Sequence, residues 1–181
     1  VAQWQQGGAA RQAITSGDLT ANIAAIFNGL GSFSYGEMAG ERLRLGLMLH
    51  DPEEEHDCFS DNTHWSHYND VLGIQNVYTG SYRKVDGALI TGPSLSDLVA
   101  AKLPVLDNQM QLALSSTLQA MQVLVDSVQA GEAYDQLIGE GNKEGNAKVR
   151  AAVNALVAQT KVIEKIMPEM GLGGSNVCLL Y

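Results

Sequence analysis

Aromatic residues are scarce, at 6% of 181 positions, so a core has to be built mainly from Ala, Leu, Val, Ile and Met. Cysteine is scarcer still. Cys58 and Cys178 are too few for a disulfide framework or a thiolate zinc site. Joined, they would close a long loop worth about 4–5 kcal/mol by chain entropy; unjoined, they are two small apolar side chains. Bases are outnumbered: 11 Lys and Arg against 20 Asp and Glu leave a net charge of -9. Such a surface repels phosphate backbones, which argues against nucleic acid as a partner. No uncharged apolar run is long enough to span a bilayer. GxSxG, Walker and GxGxxG motifs are missing, and so is HExxH. His50-Asp51-Pro52-Glu53 has a proline where an uninterrupted helical turn would be needed. The chain opens at Val1 with no initiator Met and no basic-then-apolar leader, as expected of a processed or partial chain.

What is present is enough for one core. Apolar residues make up 45% of the chain. Their dominant period is helical. From Pro104 to about Val128 the stripe Leu106, Met110, Leu114, Leu118, Met121, Val125 and Val128 advances by fours and threes, with Gly131 as a stop. A second stripe, Val149, Val153, Leu156, Thr160, Ile163 and Met167, predicts a helix from about Asn146 to Met167. Gly139, Gly141 and Gly145 lie between the two, with a short helical piece from Glu132 to Ile138, and predict an antiparallel pair.

The first half is less regular. Ser16 and Asp18 precede a helix from Leu19 to about Leu30, with Ile23, Ile26, Phe27 and Leu30 on its buried face. A helix from Tyr35 to Leu49 would turn Met38, Leu45 and Leu49 inward. An acidic loop from His50 to about Thr63 leads to a helix ending near Tyr78. Residues 79–93 read as a loop, and Ser94 caps a short helix from Leu95 to Leu103. No useful strand alternation is evident. The expected fold is all-α: an antiparallel, four-helix-bundle-like domain with one long acidic, His-containing crossover loop.

Chemistry concentrates in that loop. All four histidines (His50, His56, His64 and His67) fall within 18 positions, among Asp51, Glu53, Glu54, Glu55, Asp57 and Asp61. Imidazole and carboxylate form a ligand set for zinc or iron; the alternative is a solvated acidic loop. His64 and His67, three apart, project to one side of a helix. Ser60, Asp61, Asn62 and Thr63 read as helix caps, as oxygen ligands at a positive helix end, or as both. Glu37 and Glu41 share a helical face, where they could serve as paired carboxylates or as a solvated face balanced by Arg42 and Arg44.

Three stretches carry a family likeness: GSFSYGEMAGERL at 31–43, DPEEEHDCFSDNTH at 51–64 and LGIQNVY at 72–78. Together they resemble the second half of imelysin-like proteins, so that residues 1–30 are lead-in helices and 31–181 a bundle domain. The resemblance implies a mostly helical bacterial cell-envelope protein, periplasmic or attached to the outer membrane. Its two helical halves flank a cleft, and it is tied to iron uptake. Some members are described as insulin-cleaving metallopeptidases. The family hallmark, a GxHxxE motif in the first half proposed to bind metal, is absent from this sequence.

Carried over by motif, Glu37, Glu41, Arg42, Ser60, Asp61 and Asn62 are the expected cleft-lining residues. His64, Asp61 and Glu41 are candidate metal ligands, for iron or zinc. The expected partners are the missing GxHxxE-bearing half and iron-uptake components. Two functions follow. One is an envelope module in iron uptake that forms one wall of an inter-domain metal or ligand cleft. The other is half of a zinc-dependent peptidase, expected to be inactive alone because it lacks three ligands and a base around an open metal position.

Overall fold

A computed structural model describes residues 1–174. A 3-10 turn (Ala2–Trp4) and helix α1 (Ala9–Ser16) lead into α2 (Leu19–Ser32). A π-helical segment (Phe33–Arg44) continues α2 without a break and passes into α3 (Leu45–Leu49). The crossover follows, with a 3-10 turn at Pro52–Glu54, and then α4 (Thr63–Thr79). Strands β1 (Ser81–Arg83) and β2 (Leu89–Thr91) precede α5 (Leu95–Ala100), α6 (Pro104–Gln129), α7 (Tyr134–Ile138) and α8 (Lys143–Glu169).

Two core clusters show how the rods run. One holds Phe27 of α2, Ile74 and Tyr78 of α4, Met110 and Leu114 of α6, and Ile163, Ile166 and Met167 of α8. The other holds Met38 and Leu43 of the π-segment, Val71 of α4, Met121 and Leu124 of α6, and Val149, Val153 and Leu156 of α8. Each rod therefore enters at the end where its predecessor left: an up-down-up-down four-helix bundle. The hairpin and α5 close the first end; the acidic crossover and α7 close the second. Every residue of the two long predicted stripes is buried or half-buried.

The π-segment changes one expectation. Its hydrogen bonds reach five residues back, as when the Leu45 amide donates to the Gly40 carbonyl. Buried positions accordingly advance as Leu30, Ser34, Met38, Leu43 and Leu47, with one step of five. Leu43 and Leu47 take the inward places expected for Leu45 and Leu49, and Leu49 is exposed. A sequence read at 3.6 residues per turn cannot anticipate that slip.

Residues 79–93 are also not all loop. Ser81, Tyr82 and Arg83 pair antiparallel with Thr91, Ile90 and Leu89. Three-residue strands are too short to register as alternation. Ser94 does cap α5, closing a reciprocal capping box with Asp97. Asn142 caps α8, which therefore begins at Lys143 rather than Asn146. Gly145 lets α7 come this close, because a Cβ there would stand 2.8 Å from Leu137 Cα and O.

Candidate functional site

The residues singled out by motif lie on two elements: Glu37, Glu41 and Arg42 on the π-segment, and Ser60, Asp61 and Asn62 in the crossover before α4. Arg42, on the π-segment, is half-buried and makes two ion pairs. Its Nε donates to Glu37 Oε1 at 2.9 Å, and its Nη1 donates to Asp70 Oδ2 of α4 at 2.7 Å. Its guanidinium carbon also lies 5.6 Å from the centroid of the Phe33 ring. The Glu37–Arg42 pair is five residues apart, a spacing that a π-helix stacks and an α-helix does not. Glu37 and Glu41 share a shallow groove with Gly29, Ser32, Phe33 and Gly36.

The crossover is fastened to the start of α4 by side chains. Thr63 Oγ1 donates to Glu55 Oε1 at 2.8 Å and accepts from the Asp57 amide at 3.0 Å. Ser66 Oγ donates to Asp57 Oδ2. Glu55 is thereby buried, and desolvation outweighs the Thr63 bond to raise its pKa. Burial likewise raises Asp70, against the opposing pull of Arg42.

Ser60, Asp61 and Asn62 are exposed. The expected side-chain cap is not made: α4 starts from the Asn62 carbonyl, which accepts from the Trp65 and Ser66 amides. Two local facts divert the cap. Asp61 sits in the left-handed region (φ 51°), and the Thr63 hydroxyl is committed to Glu55. Cys58 is exposed; Cys178 lies outside the described residues, and with it the question of their pairing.

Two imidazoles are buried on the first turns of α4. His67 is fully buried with neither ring nitrogen hydrogen-bonded to a described residue. Its ring meets Tyr134 edge-on at 5.4 Å and stands 6.3 Å from His56. Burial, reinforced by His56 and Arg42, pushes its pKa down to about 3. His64 is buried too, its Nδ1 without a partner, and burial lowers its pKa against the attraction of Asp61. The Tyr134 hydroxyl is a further buried group lacking a described partner, and burial raises its pKa. At neutral pH these imidazoles are uncharged, with lone pairs and N–H groups unspent.

The metal expectation meets a different geometry. Among the described residues no three of His, Cys, Asp and Glu are grouped to hold an ion, so His64, Asp61 and Glu41 do not form such a set. His64 is buried while Asp61 and Glu41 are exposed, which separates the proposed ligands by environment. These residues do not by themselves fit a metal. Asp70 and Tyr134 were not singled out, and no local pattern marks them; Glu55 and Asp57 were seen only as members of the acidic run. Each acquires its place from a residue 8 or more positions away, or from another element.

The sequence model of the imelysin peptidase family matches residues 1–163. The chain belongs to the imelysin family. In this member the first motif stretch meets α4 through Arg42 and Asp70, and the second meets it through Asp57 and the Ser66 hydroxyl. The chain matches no curated protein. No helix among the described residues is long and apolar enough to cross a membrane.

Proposed function

We propose that this imelysin-family chain is a cell-envelope module in bacterial iron uptake, periplasmic or outer-membrane-attached, that supplies one wall of a ligand cleft. The observation carrying this reading is the Arg42 clamp. It ties the π-segment bearing Glu37 and Glu41 to α4 at the base of the acidic crossover, giving one fixed polar face. Because the carboxylates and imidazoles among the described residues form no closed ligand set, iron would be held as cargo between this wall and a GxHxxE-bearing half. The family name favours a second reading, half of a zinc-dependent peptidase. In that case the opposite half would bring the missing ligands and the base.

Calorimetric titration with ferrous, ferric and zinc ions tests both. Alone, the chain should bind none of them at micromolar concentration. With a GxHxxE-bearing half added, iron should bind, and less so when Glu41 or Arg42 is changed to Ala. Tight binding by the chain alone that survives Asp61→Ala and His64→Ala would sink the shared-cleft reading. Zinc-dependent peptide hydrolysis by the pair would replace it with the second.

A further inference from the structure

A second polar site lies between α3 and α8. A cleft of about 370 Å³, at the lower end of the size of small-ligand pockets, has Arg44, Leu47, Met48 and His50 on one wall. Asn146, Arg150, Val153 and Asn154, spaced along one face of α8, form the other. The two guanidinium groups come from different elements, and neither has an ion-pair partner among the described residues. No acidic side chain lines the cleft; Glu41 reaches only an adjoining groove that shares Arg44 and Met48. In a chain of net charge -9, two unpaired arginines sharing an acid-free cleft mark a place built for an anion.

The remaining groups narrow the anion. His50, in the left-handed region at φ 53°, faces the Ile138 carbonyl oxygen across 2.7 Å, so Nδ1 carries the hydrogen. That bond leaves Nε2 as the ring nitrogen open to a ligand. Asn146 spends both amide hydrogens on the Leu137 and Gly139 carbonyls, at 2.9 and 3.1 Å, which leaves its oxygen as an acceptor. Asn154 makes no hydrogen bond to a described residue. Leu47, Met48 and Val153 supply an apolar wall suited to a short carbon skeleton. We infer that this cleft binds a small organic di- or tricarboxylate bearing a hydroxyl group. Arg44 and Arg150 would each take a carboxylate by its planar fork, and the Asn146 oxygen would accept the one hydrogen of the hydroxyl.

The test uses the chain labelled with ¹³C at methionine methyls. Of the six methionines only Met48 lines the cleft, and Met38, Met110, Met121 and Met167 are buried in the core. Malate should shift the Met48 signal alone and saturably, with a dissociation constant of about 1 mM or tighter. Succinate, lacking the hydroxyl, should bind several-fold more weakly, and inorganic phosphate more weakly than either. Arg44→Gln with Arg150→Gln should weaken malate at least tenfold while thermal unfolding stays put. Should the pair disturb the fold, Arg150→Gln alone, at an exposed position, carries the same expectation. Phosphate binding as tightly as malate, equal succinate binding, a shift spread over several methionines, or unchanged affinity in the arginine variants would each overturn the assignment.

Discussion

At the hairpin end of the bundle, the buried carboxylate of Asp107 is fully used. Oδ1 accepts from Tyr78 at 2.8 Å and from Ser96 at 2.7 Å, and Oδ2 accepts from Gln111 at 2.9 Å. At the crossover end His67, His64 and Tyr134 are buried as well, yet four of their polar atoms, His64 Nδ1, both His67 ring nitrogens and the Tyr134 hydroxyl, have no described partner. A buried polar group left unpaired costs roughly 1–3 kcal/mol. The first end uses polarity to lock α4, α5 and α6 together; the second gives up stability to keep imidazoles unengaged. Sites that break local rules in this way are where function is expected.

The contrast is broken most directly at Asp107. Asp107→Ala leaves the Tyr78 hydroxyl buried and unpaired and removes the link from α4 to α6, so stability should fall by about 3 kcal/mol in denaturant unfolding. Tyr78→Phe, which removes the donor but leaves Asp107 its other two bonds, should cost about 1 kcal/mol. A loss below that for Asp107→Ala would mean that the network is ornamental. At the opposite end, His67→Leu swaps an unsatisfied ring for an apolar side chain, and at pH 7 it should leave stability unchanged or raise it.

His67 also sets a pH signature. Its folded pKa is depressed to about 3 by burial, so between its unfolded value near 6.5 and about pH 3 the unfolded chain binds the extra proton. Its contribution to stability is therefore present above pH 6.5 and lost as pH falls towards 3, at up to about 1.4 kcal/mol per pH unit. Glu55 and Asp70, both raised, act in the opposite sense: their burdens ease as the pH falls. Unfolding curves across pH 4–7 should be flatter in His67→Leu than in the parent. Identical slopes would show that His67 takes up its proton while still folded.

How far these ends were legible differs, and for a physical reason. The two long stripes of α6 and α8 follow from the 3.6-residue period alone, since every stripe position packs inward. The π-segment was read as ordinary helix because its step of five, from Met38 to Leu43, breaks the 3.6-residue period on which that reading rests. The motif stretches did point to Arg42, but Asp70, its strongest partner, is one unremarkable helical carboxylate that only the packing of α4 brings within 2.7 Å. His64 and His67 were seen as a pair on one side of a helix. Nothing in their spacing told that both rings are buried, with His67 against Tyr134.

Arg42 offers an intermediate case, a half-buried charge whose partners are all in place. Arg42→Gln keeps a hydrogen-bond donor and removes the positive charge, so Asp70 loses the group that restrains its rise. Stability should drop by about 1–2 kcal/mol. The Asp70 carboxyl should titrate higher than in the parent, as followed by carboxyl carbon NMR. A pKa that stays put would show that desolvation alone governs Asp70.

The smallest effect distinguishes two helix starts at the same end of the bundle. Asn142 caps α8 in full: Oδ1 accepts from the Gly145 amide at 2.9 Å, while Nδ2 donates to Glu132 at 2.8 Å and to the Gln136 carbonyl at 2.7 Å. Asn62 stands at the matching position of α4 and makes no side-chain cap. Asn142→Ala should therefore cost about 1–2 kcal/mol, and Asn62→Ala less than about 0.5 kcal/mol. The same asparagine-to-alanine change thus reads out whether a helix start is used for stability or left open. Were Asn62→Ala as costly as Asn142→Ala, the start of α4 would be held by its cap after all. The exposed Ser60, Asp61 and Asn62 would then be structural rather than available to a ligand.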